Sequence, residues 1–233
     1  MISAELAELA GIFAADGCMQ KDYICLWGNI REDRPYYEGT ITSLFEKEFH
    51  TTPKCHEKPS NSVYGFYICK RKIIQEFQKL GFHPGNKTYT VKVPEQIMTD
   101  RRPEIWASFI RGFFDGDGCL HFSKRKGTYS KFKREHHTYP RILITSRSFG
   151  LARQIYELLQ RLGIHSTLTY KKPGTLRENP CAVITIRGIQ MLENWMKIIG
   201  MSNNSSLTKY LLWKKQGFCP SYTSMKERIE LMA

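Results

Sequence analysis

A ten-residue segment near the start of the chain returns farther along it, and few architectures accommodate such a repeat. Leu9-Ala10-Gly11-Ile12-Phe13-Ala14-Ala15-Asp16-Gly17-Cys18 is echoed by Ile110-Arg111-Gly112-Phe113-Phe114-Asp115-Gly116-Asp117-Gly118-Cys119. The offset is constant: 117 − 16 = 101 for the acid, and the same for both glycines and the cysteine. In the same register Ala7, Gly11 and Ala15 align with Ser108, Gly112 and Gly116. A spacing of i, i+4, i+8 puts each trio on one helical stripe. The remaining apolar residues are helical in pattern: Leu6, Leu9, Ile12 and Phe13 in one copy, Ile105, Trp106, Phe109 and Phe113 in the other. Ser3 suits the N-cap of the first helix, and Pro103-Glu104 the first turn of the second. A mid-helix glycine costs about 1 kcal/mol against alanine, so glycines at matched places call for a packing reason. Two helices in contact along small-residue stripes supply it, and they bring Asp16 and Asp117 out side by side.

Each motif is followed by the same order of elements. The first half predicts a strand near Tyr23 to Trp27 and a helix over Tyr36 to Phe49. Strands at Lys54 to Lys58 and Val63 to Cys69 follow, then a helix over Lys72 to Leu80. The second predicts a long hairpin over Leu120 to Thr145 and a helix over Phe149 to Leu162. Strands at His165 to Lys171 and Ala182 to Arg187, and a helix over Gln190 to Ile199, complete it. The expected fold is α+β, two pseudo-symmetric α-β-β-α-β-β-α halves. They span residues 1–98 and 103–233, with a short polar linker at 99–102 and a helix from Leu207 to Gln216 closing the second.

The two motifs resemble the LAGLIDADG signature, the first closely and the second more loosely at its start, and the element order is similar to that family over nearly the whole chain. The resemblance implies antiparallel sheets forming a DNA-binding saddle, and a homing endonuclease that cuts both strands of a long duplex across the minor groove. Short 3′ overhangs, intron homing and a sufficient monomer belong to the same implication. Phosphodiester hydrolysis gains from a divalent ion that activates water and steadies the leaving oxygen. Mg²⁺, or Mn²⁺ in its place, favours one or two carboxylates plus substrate phosphate. Asp16 and Asp117 are the expected ligands and catalytic acids, any main-chain carbonyl contribution being left open. Their rival role as simple helix ends fits poorly, since a carboxylate opposes the dipole there. Asp115, matched by Ala14, reads as a structural acid. The resemblance further assigns Asn29 and Ser146, with Arg147 alongside, to water-positioning places, and Lys87 of Gly85-Asn86-Lys87 to the centre. Asn203-Asn204-Ser205 lacks the matching lysine, which predicts an asymmetric site.

Charge supports a nucleic-acid partner. The chain of 233 residues carries 35 basic and 22 acidic side chains, a net charge of +13, with 41% apolar residues to build a core. A β-ribbon can enter the major groove, and the second hairpin offers Lys124, Arg125, Lys126, Lys131, Lys133 and Arg134 around Gly127, with Tyr129 and Phe132 between. His165, Thr167, Thr169 and Lys171 alternate along one strand, and Lys54, His56 and Lys58 along its first-half counterpart. Double-stranded DNA is the expected partner. An intron-RNA maturase and a non-cleaving regulator of the same fold are the alternatives, the second disfavoured by two intact acids. Met1-Ile2 and Met232-Ala233 disfavour an intein. No apolar run approaches the ~20 residues of a membrane span, and Glu5 and Glu8 argue against a transit peptide. Seven cysteines without a C-x-x-C pair exclude a zinc site and a disulfide framework. With Cys25, Cys69 and Cys181 in apolar runs, they read as reduced, buried thiols of an intracellular protein, cytoplasmic or nucleoid-associated.

Overall fold

The computed structural model describes residues 1–124, 137–173, 175 and 179–233. Its axis is a pair of helices, α1 (Ala4–Asp16) and α5 (Pro103–Asp117), one from each half. The Ser3 side chain accepts from Leu6 N at 3.0 Å to start α1, and Pro103 occupies the first turn of α5. The small-residue stripe is sterically required. A Cβ on Gly11 would lie 2.1 Å from the Phe109 carbonyl oxygen, and one on Gly112 2.1 Å from that of Glu8. Both are main-chain atoms with no room to yield, so the helices cross at these two points and any side chain would separate them.

A four-stranded antiparallel sheet flanks each helix. The first half contributes β1 (Gly17–Met19), β2 (Ile24–Asn29), β3 (His56–Lys58) and β4 (Val63–Ile68) in the order β1-β2-β4-β3. The second contributes β5 (Gly118–Lys124), β6 (His137–Ser146), β7 (Thr167–Lys171) and β8 (Cys181–Arg187) in the order β5-β6-β8-β7. Period-2 alternation orients both. Ile24, Leu26, Tyr64, Phe66 and Ile68 face inward in one sheet; Leu120, Phe122, Ile142, Ile144, Ile184 and Ile186 do so in the other. They meet α2 (Thr42–Phe49) and α3 (Arg71–Lys79), or α6 (Phe149–Arg161) and α7 (Ile189–Ile198). Aromatic contacts close each core, Phe13 against Phe77 at 4.6 Å and Phe114 against Trp195 at 5.0 Å between ring centroids.

Several elements depart from expectation. The helix expected from Tyr36 begins as a π-helical turn, Tyr36–Ile41, before α2. Lys54 and His165 precede their strands, which start at His56 and Thr167. Three elements too short for a periodic signal to stand out also appear: β1, α4 (Glu95–Met98) beside the linker, and α9 (Met225–Met232), which follows α8 (Asn204–Gln216). α9 is mostly exposed and is anchored by the buried Arg228. Its guanidinium donates to Thr208 Oγ1 at 2.9 Å and Ser205 O at 3.1 Å, and pairs with Glu32 of the first half at 3.3 Å. All seven cysteines are free; Cys25 is buried and Cys181 half-buried, but Cys69 is exposed, against the expectation of burial. Cys69 lies one residue past β4, where inward alternation has ended. Among the described residues no helix is long and apolar enough to cross a membrane.

Candidate active site between the two halves

Asp16 and Asp117 close their helices at equivalent places. The two ends are close enough that a Cβ on Gly116 would sit 2.7 Å from Asp16 Oδ2. Burial pushes the Asp16 carboxyl up to about 7, Asp117 and Asp33 push it the same way, and Lys87 opposes them. Asp117 is open to solvent along one side, yet surrounding protein raises it too, again opposed by Lys87. Two carboxylates that repel each other at neighbouring helix ends carry the charge that favours a cation between them. Among the described residues no group of three or more His, Cys, Asp or Glu side chains could hold a metal ion. A pair of carboxylates is the donor set that a hard cation takes together with substrate oxygens.

Lys87 comes to this place from a loop 72 residues distant. Its Nζ donates to the carbonyl oxygens of Ala15 at 2.7 Å and Ala14 at 2.5 Å, the last unpaired acceptors of α1. Burial lowers the ammonium, while Asp117 and Asp16 hold it up. The other half uses an amide. Asn203 Nδ2 donates to Asp115 O at 3.0 Å, and residue 115 is the counterpart of residue 14, so the buried Asn203 stands where Lys87 stands. The same amide donates to Asp33 Oδ1 at 2.9 Å, and Asp33 Oδ2 accepts from Asn29 N at 2.7 Å. One corner therefore holds a cation, and the other an amide bridging to a third carboxylate.

The Asn29 side chain accepts from Arg31 N at 2.8 Å and Glu32 N at 3.2 Å, fixing the turn that leads to Asp33. Ser146 Oγ accepts from Ser148 N at 3.1 Å. These two positions are not equivalent. Gly17 pairs with Leu26 and its counterpart Gly118 with Ile144, so Asn29 corresponds to Arg147 and Ser146 to Gly28. Sequence alone does not reveal this single-residue slip, because both hairpins end in polar residues. Ser146, Arg147, Lys171, Lys87 and Asp117 line one cavity of about 690 Å³. Asp115 is buried, pushed up to about 7 by that burial, and accepts from Ser202 N at 2.8 Å.

The sheet residues lie on the outward faces. Lys58 Nζ stands 4.0 Å over the Trp27 ring, and His56 meets that ring edge-on at 5.1 Å. The exposed Thr167 and Thr169 donate their hydroxyls to the carbonyls of Thr185 and Val183. Lys54 and His165 are exposed in the approaches to β3 and β7. Lys124 ends β5; Arg125, Lys126, Lys131, Lys133 and Arg134, with Gly127, Tyr129 and Phe132, lie outside the described residues. Asp33 and the cross-half role of Asn203 escape a reading of the sequence. Only the spacing of Asp33, four residues after Asn29, could draw attention to it.

Comparison with known proteins bears on this arrangement. The I-LtrWI LAGLIDADG homing endonuclease bound to target DNA superposes with a TM-score of 0.57 at 15% identity, over 98% of this chain and 96% of that one. I-DmoI in complex with DNA and Mn gives 0.55 at 14% identity, over 84% and 96%. The meganuclease I-SmaMI bound to uncleavable DNA gives 0.56 at 12%, over 93% and 89%. The fold is that of the LAGLIDADG homing endonucleases. Residues 104–200, within the second half, match the model of the LAGLIDADG-like domain. Curated relatives are a DNA polymerase of Thermococcus kodakarensis, 23% identical over 215 residues, and a subunit of the A-type ATP synthase of Pyrococcus abyssi, 24% identical over 174. The chain spans only 11% and 15% of those proteins.

Proposed function

We propose that this chain is a DNA endonuclease of the homing type, which lays its two sheets along a long duplex as a monomer and hydrolyses both strands across the minor groove. The observation that carries the reading is the pair of aspartates at matched helix ends, each raised by burial and served by Lys87. Asp16 and Asp117 would hold Mg²⁺ or Mn²⁺, which supplies Lewis acidity and a water acidic enough to attack at neutral pH. Around that centre the chain's own groups position and balance. Lys87 ties down the end of α1 and offsets the charge of both carboxylates. Arg147 and Lys171 flank the cavity beside Asp117, where a phosphate would enter. Ser146 orients solvent at its edge, and Asn29 does so at the other corner, beside Asp33. Cuts offset across the minor groove leave short 3′ overhangs. With a cation at one corner and an amide at the other, one strand is cut faster, and a nicked duplex accumulates first. Such a nuclease serves intron homing, and works inside the cell where duplex DNA is.

The test is cleavage of a pooled duplex library with Mg²⁺ by the natural chain, Asp16→Asn and Asp117→Asn. Defined double-strand cuts are expected from the natural chain. Either variant should bind and lose double-strand cleavage by about a thousand-fold, the size of losing several kcal/mol of transition-state stabilisation. Tight duplex binding with no cutting by the natural chain would remove the nuclease reading.

A further inference from the structure

The outward face of the second sheet carries a cationic pair that no step of the proposed cleavage uses. Arg141 on β6 and Arg187 on β8 are direct cross-strand partners. Their neighbours Ile142 and Ile186 are buried in the core, so alternation turns both guanidinium groups away from it. Side chains at such positions have Cβ atoms about 4.5–5.5 Å apart, and like charges there destabilise a sheet. Among the described residues neither arginine has an ion-pair partner. Arg141 Nε is buried without a hydrogen-bond partner among them. An unsatisfied charged donor is an expensive thing to keep in a folded protein. A ligand that brings several acceptors to one place would satisfy both groups.

We propose that Arg141 and Arg187 form a guanine-reading pair, and that the half-site beneath the second sheet contains two neighbouring guanines which the other half-site lacks. The inference rests on the reading of this chain as a duplex-DNA enzyme. Guanine offers O6 and N7 on its major-groove edge, and a guanidinium can engage both. Phosphate is the competing acceptor, and position in the sheet decides between them. β6 and β8 are the two inner strands of the order β5-β6-β8-β7. When a sheet lies in a groove, inner strands face its floor, where the base edges are, and outer strands face the backbones. The pair also stands apart from the catalytic centre. Arg141 is four residues from Thr145, which lines the cavity, or about 13 Å along the strand at 3.3 Å per residue. That is roughly four base pairs outward at 3.4 Å each. The first sheet has no equivalent, since the matching positions are Tyr23 and Cys69.

The experiment is enrichment of bound duplexes from a randomised pool in Ca²⁺, using the full chain, Arg141→Ala, Arg187→Ala and Arg141→Lys. Thermal melting serves as the folding control. The natural chain should enrich guanine at two neighbouring positions of one half-site. Each alanine variant should relax one of those positions by roughly 5- to 150-fold, the worth of one bidentate pair, and leave the rest of the site unchanged. Arg141→Lys keeps the charge and loses the fork, so it should relax the same position in part. Uniform weakening across all sequences, with the salt slope reduced by about one, would mark a phosphate contact and overturn the proposal. Guanine-indifferent enrichment by the natural chain would overturn it while duplex recognition stood. No duplex binding at all would overturn the enzyme reading together with it.

Discussion

At equivalent register positions the first sheet presents Tyr23, Trp27, Tyr67 and Cys69 where the second presents Arg141, Thr145, Thr185 and Arg187. Tyr23 packs edge-on to Tyr67 at 6.4 Å, and Lys58 covers Trp27, so the first outer face is aromatic and thiol-bearing with little free charge. The inward faces differ far less, both being aliphatic and aromatic. Core packing constrains the inward set in both halves, because it must fill the same space above the same helix pair. The outward set answers only to what binds there, so a duplicated fold can read two unlike half-sites. The corners of the candidate site repeat the lesson. Main-chain carbonyls at matched helix ends are capped in both halves, but by an ammonium in one and an amide in the other.

A third asymmetry lies inside the axis itself, and its removal should have the largest effect on stability. Arg111 donates to Glu8 Oε1 at 2.9 Å, forms a second bond to Oε2, and donates to Ile199 O at 2.9 Å. In the repeat register Glu8 matches Phe109 and Arg111 matches Ala10, so this ion pair exists once. Glu8→Ala leaves the guanidinium uncompensated between the halves and should cost about 3 kcal/mol in denaturant unfolding. The double change Glu8→Leu with Arg111→Met should recover most of that. A single mutant with unchanged stability would mean the pair contributes nothing.

The catalytic corners come next in expected size. Lys87→Ala should slow cleavage of one strand by about 10- to 100-fold and leave the other within a few-fold, read from the nicked intermediate over time. Asn203→Lys places a cation at the second corner and should bring the two strand rates together. Equal slowing of both strands by Lys87→Ala would show that the corners act as one unit.

The metal-free protein should show the charge burden of the site in its pH dependence. Asp16 and Asp115 both rise from an ordinary 3.8 to about 7 in the folded chain, so the folded state holds protons that the unfolded state has released. Stability from this source is complete below about pH 4 and is lost as pH rises toward 7. Melting in a chelator should therefore fall by a few degrees across that window. Asp16→Asn should flatten part of the slope, and a divalent ion should restore stability at the alkaline end. A rise in melting temperature over the same window would contradict the assigned burial.

The helix pair, the order of strands and the paired acids can be read directly from residues. Gly11 and Gly112 carry a spacing that only close helix contact explains, and alternation at Ile24-Leu26 or Ile142-Ile144 marks its own strand. What escapes has a physical reason in each case. β1 is three residues long and shows too little alternation to notice. α9 is only two turns long, too short for the Met225, Ile229 and Met232 spacing to stand out, and Arg228 is recognisable as its anchor only once Thr208 and Glu32 are brought beside it. In sequence Asn203 reads as the place where a lysine is lost; its replacement function depends on Asp115 and Asp33, 88 and 170 residues away in the chain. The offset between Asn29 and Ser146 is a matter of hairpin register, which turns on pairing and not on residue type.

The smallest effect belongs to the aromatic face, where it tests whether that face recognises sequence at all. Lys58 and Lys171 occupy matching positions, paired with Val63 and Cys181 on the neighbouring strand. Only Lys58 rests on an indole, which holds its ammonium over the sheet. A cation–π contact at such a site is worth about 0.5–1 kcal/mol. Trp27→Ala should therefore weaken duplex binding by only a few-fold, but make the first half-site more tolerant of substitution, since the lysine loses its fixed direction. Lys171→Ala should instead lower affinity for all sequences alike and reduce the salt slope by about one. If both changes lower affinity uniformly, the two outer faces bind backbone in the same way, and the contrast between them carries no information about the target.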